Sequence, residues 1–323
     1  MEKLIAGDIY YLMYLGRAFE YKAKEHYMTG DISGFLHLDI GQEALSVAAM
    51  KAFEKGDVFT TYREHIMAIA RGMEPKYVMA ELFGKASGVS GGKGGSMHLF
   101  DPSHFFYGGD AIVGGQIPNA VGCAYARKYQ GNLEGVMVVF GDGATNGGAF
   151  FESLNIAATH KLPILFLCEN NEYAIGTNIK RAAPFKEQYK KAEPYMLTKA
   201  IDGMKADEVY SAVKEAQSLI EKGHGPIFIE AYTCRFEGHS MSDANLYRSS
   251  QEMKHCKARD PLPYFKEKML NSFNFSQEEV EALEKKANEC VDEAVDFAAN
   301  AKEPPLEALY EHVFYEELNN VVS

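Results

Sequence analysis

Helical and strand-like hydrophobic patterns alternate along this chain of 323 residues. One class of segment repeats apolar side chains at the spacing of a buried helical face. These segments are 8–29, 42–53, 148–160 and 207–222. The other class is a compact apolar run, which is typical of a strand buried on both faces. These runs are 136–140, 163–168 and 226–233. The alternation predicts an α/β fold, a three-layer parallel sheet with helices on both faces.

The C-terminal part of the chain predicts one further long helix. Ser276 with Glu279 three residues later is the signature of a capping box, and the helix that it opens is expected to run to about Ala301. The chain shows no internal repeat and no linker rich in Ser, Pro or Gly. We therefore expect a single domain over 1–323 with a C-terminal helical extension.

Two long segments carry neither pattern. The first, 84–96, is rich in glycine, and the second, 101–115, is predicted to be irregular. Loops of this length inside a compact domain are usually either functional or disordered. Both segments are therefore candidates for the functional site.

Composition narrows the classes of function. With 46% hydrophobic and 24% charged residues the chain is typical of globular proteins, and a formal net charge of −12 argues against a nucleic-acid surface. The apolar run 162–168 is too short to cross a bilayer, and charged residues interrupt any signal peptide near the N-terminus. The five cysteines form no C-x-x-C pair, which predicts a reducing cytoplasm and no disulfide framework.

An aspartate stands inside the glycine turn that follows the first central strand, 141-GDGATNGG-148. Asp142 lies just after one predicted strand and Asn171 lies just after the next. Backbone carbonyls near Tyr173 follow two residues later. Ligands collect at the carboxyl ends of parallel strands, and oxygen donors of this kind suit Mg²⁺ bound together with a phosphate. The turn therefore predicts a phosphate held through a metal, with glycines and helix-opening amides at its surface.

A nicotinamide-dinucleotide fold is the main alternative, because Gly141 and Gly143 follow a strand and Glu169 ends the next. Against it, Asn146 occupies the third glycine position, and the Asp142 charge would repel a pyrophosphate. A Walker A reading of 86–96 fails, since Gly94 follows Lys93 where Ser or Thr is required. Zinc and EF-hand patterns are absent from the sequence.

Several motifs together resemble one family. The turn GDG, then 26 residues, then Asn170-Asn171 is similar to the thiamin-diphosphate motif. The accompanying motifs are 37-HLDIGQEALSVAA-49, 61-TYREH-65, 78-VMAELFGK-85, 91-GGKGGSMHLF-100, 107-YGGDAIVGGQIPNAVG-122 and 238-GHSMSD-243. Their order resembles the alpha subunit of the decarboxylating first component of 2-oxo-acid dehydrogenase complexes. The likeness covers about Gly30 to Pro261 and implies a thiamin-diphosphate-binding fold.

The resemblance implies a role for individual residues. The implied Mg²⁺ ligands are Asp142, Asn171 and the carbonyl of Tyr173. The implied cofactor-binding residues are Tyr62, Arg63, Ala111, Val113, Asp142, Gly143, Ala144, Asn146, Asn171 and His239. The implied catalytic residues are His239, beside the reacting carbon, and His37, in the 2-oxo-acid pocket.

Each of these roles has a plainer alternative. Arg63 could form a surface ion pair, 111–115 could be a packing loop, and a lone histidine is more often structural. His65 and His98 are weaker candidates. Ser240 matches a position that is phosphorylated in regulated mitochondrial relatives, although a solvated loop serine is the plainer reading.

The resemblance also implies a reaction and partners. A 2-oxo acid is decarboxylated on thiamin diphosphate, and the acyl group passes to the lipoyl group of an acyltransferase. In the family a separate beta subunit supplies the activating glutamate, so we expect an α2β2 heterotetramer that is inactive without it. His37 and the segment 35-FLHL-38 resemble the pyruvate and acetoin enzymes, and the branched-chain relatives differ here. Pyruvate is the preferred substrate and acetoin the alternative, while Asp39, Gly148 and the short loop 244–248 depart from the pyruvate pattern. A non-catalytic scaffold would have been favoured by loss of Asp142 or Asn171, and both are present.

Overall fold

Six parallel strands form the centre of the structure, a computed structural model that describes residues 1–313. The strands of this sheet are β1 (Asp57–Thr61), β2 (Phe106–Asp110), β3 (Val136–Gly141), β4 (Ile164–Asn170), β7 (Leu197–Asp202) and β8 (Ile227–Tyr232). Their order is β2-β1-β3-β4-β8-β7. A separate antiparallel ribbon pairs β5 (Tyr173–Ala174) with β6 (Thr177–Asn178). The last residues of the expected domain, 314–323, lie outside the described part.

Eleven α-helices surround the sheet within residues 1–313. They are α1 (Lys3–Thr29), α2 (Glu43–Ala52), α3 (His65–Arg71), α4 (Pro75–Leu82), α5 (Gln116–Tyr129), α6 (Gly148–Thr159), α7 (Ile179–Ala182), α8 (Ala206–Glu221), α9 (Ser250–Lys257), α10 (Pro261–Asn271) and α11 (Gln277–Asn300). The four predicted helices and the C-terminal helix are confirmed. The capping box of Ser276 and Glu279 is present, and Gly30 ends α1 in the left-handed conformation that glycine adopts readily.

Alternation along the strands creates two hydrophobic cores. In β3, Met137 and Val139 join the core on one face, whereas Val138 and Phe140 join the core on the other. Helices α1, α2, α8 and α11 contribute to the first core, and α5 and α6 contribute to the second. Burial on both faces explains why these strands read as continuous apolar runs. The predicted three-layer parallel sheet is confirmed.

Three strands of the sheet were not predicted, namely β1, β2 and β7. The expectation that 101–115 is irregular is wrong for 106–110, which forms β2. Both β2 and β7 are edge strands, so only one neighbour pairs with each, and β2 contains two glycines that weaken its apolar pattern. Strand β1 carries a buried aspartate, Asp57, which binds Arg127 of α5 and interrupts the hydrophobic run.

The prediction that the cysteines form no disulfide is wrong. Cys234, just after β8, is bonded to Cys256 in α9, and their Cα atoms lie 5.8 Å apart. The two residues are 22 positions apart in sequence, so no short motif marks them, and only the packing of α9 beside the end of β8 brings them together. Cys123, Cys168 and Cys290 are free thiols. None of the helices in 1–313 has the length and hydropathy needed to cross a membrane.

Candidate active site

Five neighbouring strands end at one cavity. Six of the predicted residues line this cavity. They are Tyr62 and Arg63 after β1, Val113 after β2, Asp142 after β3, Asn171 after β4 and His239 after β8. Parallel strands point their carboxyl ends to the same edge of a sheet, which is where α/β proteins bind ligands. The fold thus brings together residues that are up to 177 positions apart, from 62 to 239.

The buried environment of the Asp142 carboxyl group favours binding of a cation. Asp142 is 1% exposed, and nothing among the described residues hydrogen-bonds to its Oδ2 atom. Burial raises the pKa of this carboxyl to about 7, although nearby backbone amides and the Arg235 charge act in the opposite direction. A buried carboxylate oxygen without a partner is costly, and a divalent cation beside it would remove that cost. The residue therefore fits the predicted role.

The side chain of Asn171 is oriented by residues behind it. Its amide nitrogen donates to Oε1 of Gln42 at 3.1 Å, and that oxygen also accepts from the hydroxyl of Thr233. Its amide oxygen accepts from the backbone nitrogen of Tyr173 at 3.2 Å. An amide oxygen has two lone pairs, so one is left for a further ligand. Asp142, Asn171 and Tyr173 all line the same cavity, as the predicted Mg²⁺ set requires.

The type of metal is limited by the donors present. Residues 1–313 contain no cluster of three or more His, Cys, Asp and Glu side chains that could hold an ion. A cation at Asp142 would therefore rely on one carboxylate together with amide, carbonyl and ligand oxygens. That donor set suits Mg²⁺, which commonly binds through one or two protein groups and the oxygens of a phosphate.

Hydrogen bonds from Lys191 stabilise the turn after β3. Residues Asp142–Asn146 form a 3₁₀ turn, and the Thr145 hydroxyl donates to the carbonyl of Asp142 at 2.7 Å. Nζ of Lys191 donates to Thr145 and, at 2.8 Å, to Oδ1 of Asn146. Asn146 consequently lies outside the cavity lining, and so does Ala111, whereas Gly143 and Ala144 line it.

Close packing against the small ribbon requires a glycine at position 143. A Cβ atom at this position would lie 2.6 Å from Cβ of Ala174 in the small ribbon. Such a distance is far inside van der Waals contact, so either the turn or the ribbon would have to move. The glycine lets the two oxygen-bearing segments approach each other.

His37, Tyr62 and His239 form a cluster of rings. The centre of the His37 ring lies 4.4 Å from that of Tyr62 and 5.0 Å from that of His239. Burial and the charge of Arg63 lower the pKa of both histidines, to about 4 for His239 and further for His37. Nδ1 of His37 is buried and has no hydrogen-bond partner among the described residues. Both imidazoles are therefore neutral near pH 7, and each can donate one hydrogen bond and accept another.

Arg63 does not form the surface ion pair that was considered for it. It is 4% exposed, and its guanidinium donates to the backbone carbonyls of Leu38 and His239. These bonds join the segment that carries His37 to the loop that carries His239. Arg63 thus has a structural task in addition to any contact with a phosphate.

Two further charged groups at the cavity were not predicted as functional. Arg235, just after β8, is 2% exposed and donates to the hydroxyl of Tyr247 at 2.9 Å. Glu169, at the end of β4, is buried near the carboxyl of Asp39, and burial raises the pKa of both groups. Asp39, a departure from the pyruvate pattern, accepts hydrogen bonds from the side chains of Gln42, at 2.8 Å, and Ser46. The strand-end rule that singled out Asp142 would also have found Arg235 and Glu169.

The weaker candidates have structural partners. His65 is fully buried between Glu20, at 3.0 Å, and the Ser96 hydroxyl, at 2.9 Å. His98 contacts the carbonyl of Gly109 at 3.1 Å. The Ser240 hydroxyl lies 3.0 Å from that of Ser242, and the Ser240 carbonyl accepts from the backbone nitrogen of Asp243 at 2.9 Å. None of these three residues lines the cavity.

The structure adds to the arguments against the nicotinamide alternative. Asn146, at the third glycine position, is bound to Lys191 at the base of the turn. Glu169, the candidate ribose ligand, is only 3% exposed. A ribose hydroxyl would need that carboxylate to be free and accessible.

Comparisons with known proteins identify similar sequences. Residues 11–307 match the family described as dehydrogenase E1 component. The chain is 42% identical over 304 residues to the pyruvate dehydrogenase E1 component subunit alpha of Rickettsia felis, with 94% of this chain and 93% of that protein covered. It is 42% identical over 310 residues to the protein of the same name from Zymomonas mobilis, covering 95% and 87%. It is 41% identical over 320 residues to the chloroplastic subunit alpha-3 of Oryza sativa, covering 96% and 75%.

Proposed function

The chain belongs to the dehydrogenase E1 component family, and on this premise we propose that it is the alpha subunit of a thiamin-diphosphate-dependent pyruvate dehydrogenase (acetyl-transferring). The family predicted from the motifs is confirmed. The observation that carries the proposal is the buried oxygen of Asp142, which has no hydrogen-bond partner within residues 1–313, beside Asn171 at two adjacent strand ends. Bound thiamin diphosphate supplies the electron-accepting ring that lets carbon dioxide leave a 2-oxo acid.

We assign the anionic end of the cofactor to the turn after β3. Asp142, Asn171 and the Tyr173 carbonyl would hold Mg²⁺, which neutralises the diphosphate. Gly143 and Ala144 would present backbone to the phosphates, with Asn146 at the edge of the turn. Tyr62 and Arg63 would lie opposite, where a guanidinium can donate to phosphate oxygens. Val113 would touch the aminopyrimidine ring, whereas the contact predicted for Ala111 is not supported, because Ala111 lies outside the cavity lining.

His37 and His239 would act on the substrate. Both imidazoles are neutral near pH 7, since burial lowers the pKa of each. A neutral imidazole can donate one hydrogen bond and accept another, so the pair would hold the oxygens of the 2-oxo acid. Proton transfer at its carbonyl oxygen would require the bound ligand to raise these low pKa values. General acid–base assistance of this kind typically contributes ~10²–10⁴-fold in rate.

A partner chain is expected to cover the mouth of the cavity. Ile112, Val113 and Ile175 line it, yet they are 71%, 62% and 62% exposed. Adjacent exposed apolar side chains of this kind mark interaction surfaces. We propose that residues 1–323 form one cofactor-binding unit, that a beta subunit completes it in an α2β2 heterotetramer, and that a lipoyl acyltransferase accepts the acetyl group.

The proposal is tested by reconstitution. The chain is purified alone and together with its beta subunit, and carbon dioxide release from pyruvate is measured with thiamin diphosphate and Mg²⁺. We expect turnover only in the two-chain sample, together with a rise in Tm on adding cofactor and metal, because a ligand stabilises the state that binds it. Asp142→Asn, a nearly isosteric change, should abolish the metal-dependent rise.

Three outcomes would contradict the proposal. Full activity of the isolated chain would exclude the two-subunit site. An unchanged metal response in Asp142→Asn would exclude the assigned ligand. Acetoin turned over faster than pyruvate would reassign the substrate, since a difference of one small group alters specificity by only ~1–3 kcal/mol.

A further inference from the structure

The disulfide lies directly behind the candidate active site. Cys234 is the second residue after β8 and immediately precedes Arg235, which lines the cavity. Cys256 belongs to α9, and its sulfur lies 3.8 Å from the carbonyl oxygen of Arg235. The Cα separation of 5.8 Å falls within the range that a disulfide requires. The bond therefore joins α9 to the strand end that positions Arg235.

The same bond closes the loop that carries His239. Between the two cysteines, hydrogen bonds connect Arg235 to His239 step by step. Arg235 donates to the Tyr247 hydroxyl at 2.9 Å, and that hydroxyl donates to Oδ2 of Asp243 at 2.6 Å. The same Asp243 oxygen accepts from the backbone nitrogen of His239, also at 2.6 Å. Polar side chains thus connect Arg235 to the backbone of His239.

Arg248 reinforces this connection from within the loop. Its guanidinium donates to the carbonyls of Arg235 and Glu237, and its Nε donates to Asn245 at 2.6 Å. These contacts involve backbone or side chains of a segment without regular secondary structure. The covalent bond at the two ends of the segment is its strongest constraint, because closing a loop limits the open states that the chain can reach.

A second cleft leads to the disulfide. Both cysteines line it, together with Arg248, Glu252 and Arg259, and it meets the first cavity at Asn171 and Tyr173. Cys234 is partly exposed, whereas Cys256 is 3% exposed. An attacking thiol would therefore meet Cys234 first. The neighbouring guanidinium groups would stabilise a departing thiolate, since cations favour the ionised form of cysteine.

We propose that Cys234 and Cys256 are a reversible redox-modification site, opened by a dithiol through the second cleft, whose bond holds the His239 loop in place. Its effect on turnover rests on the proposed function, whereas its existence does not. Opening the bond frees α9 from the end of β8 and loosens the chain of contacts from Arg235 to His239. Small-molecule or protein dithiols would therefore change the fraction of molecules in which the His239 loop is held in place.

The exchange is balanced in atoms and electrons. A thiolate of the dithiol attacks Sγ of Cys234, the bond to Cys256 breaks, and Cys256 leaves as a thiolate. The second thiol of the reductant then attacks its own sulfur in the mixed disulfide and releases Cys234. The reductant ends as an internal disulfide, two electrons pass to the protein, and the two protons of the dithiol end on the cysteine thiols.

The test uses the full chain, either oxidised or treated with dithiothreitol. Linkage is measured by differential alkylation and mass spectrometry, and the mobility of 235–249 is measured by hydrogen–deuterium exchange. We expect dithiothreitol to accelerate exchange of this loop at least about tenfold, because a bond that closes a loop of this size limits opening by more than that factor. Cys256→Ser, or Cys234→Ser if the first variant folds poorly, should exchange fast in both conditions. Cys290→Ser, which alters a cysteine outside the bond, should behave as the parent chain does.

The outcomes separate this inference from the proposed function. An oxidised chain in which Cys234 and Cys256 are not linked would overturn it, as would identical loop exchange with and without dithiothreitol. If exchange responds but the chain with its beta subunit releases no carbon dioxide, the redox site stands and the proposed function fails. If turnover is present and the same in both redox states, the coupling of the bond to the active site is refuted.

Discussion

Replacing Glu81 by glutamine tests whether one buried carboxylate organises the glycine-rich loop. Glu81, in α4, is fully buried, and each of its two oxygens accepts two backbone N–H groups. The donors are Ser90, Gly92, Gly94 and Gly95, at 2.7 to 3.0 Å. The loop leads to Ser96, whose hydroxyl contacts His65 and lies 3.4 Å from the backbone nitrogen of His37. The carboxylate thereby supports the segment that carries a proposed catalytic histidine.

The expected cost follows from these four bonds. Glutamine keeps one oxygen, so two of the amides lose their acceptor and face an N–H₂ group instead. Hydrogen bonds to a charged group contribute about 1.5–3 kcal/mol each, so losing two costs about 3–6 kcal/mol if the loop keeps its place. Local opening of the loop to water limits the loss, so we expect the free energy of unfolding of Glu81→Gln to fall by about 3 kcal/mol.

Urea unfolding followed by circular dichroism measures this change, since the chain contains no tryptophan for fluorescence. The matched control is Glu74→Gln, just before the same helix, where the carboxylate makes only an exposed ion pair with Lys76. Such pairs contribute little, and the control should stay within about 0.5 kcal/mol of the parent chain. A loss below about 1 kcal/mol in Glu81→Gln would refute the reasoning, because the four amides would then not depend on the charge.

Two further predictions concern the site itself. Gly143→Ala should lower the free energy of unfolding by about 1–3 kcal/mol and weaken the metal-dependent rise in Tm, because the added methyl group would overlap Ala174. The control is Gly148→Ala, because a Cβ at position 148 meets nothing within 4 Å, and it should be neutral or stabilising. Equal losses of unfolding free energy in both variants would contradict the packing argument. The second prediction concerns pH. Burial and Arg63 lower the pKa of His239 from 6.5 to about 4. Between these two pH values the unfolded chain binds more protons than the folded chain, so the stability of the folded chain falls as the pH falls. His239→Gln should show a shallower loss than the parent chain between pH 6.5 and 4 in urea titrations, and an unchanged slope would show that this imidazole titrates normally.

Raised pKa values act in the opposite direction in the same pH range. Glu169 and Asp39 bind protons more tightly when folded, so their contribution to stability is largest at low pH and is lost as pH rises through the raised values. The stability of the parent chain is therefore a sum of opposing slopes. Only the difference between the variant and the parent isolates His239.

The elements that depend on neighbours along the chain could be predicted from the sequence. Apolar spacing identified α1, α2, α6 and α8, and the runs of β3, β4 and β8, because a residue buried on a helix or strand must recur with that element's period. Local end signals were equally sufficient, as with Gly30 and the capping box at Ser276. The motif order was enough to predict the family. It was also enough to nominate Asp142 and Asn171, since strand ends are visible in the sequence.

Contacts between residues that are distant in sequence depend on how the sheet and the helices pack. The ring contacts among His37, Tyr62 and His239 depend on the strand order of the sheet, which no local pattern encodes. The bond between Cys234 and Cys256 and the edge strands β2 and β7 were missed for the same reason. Periodicity records whether a side chain is buried, whereas the partner of a buried group is set by how the layers pack in three dimensions.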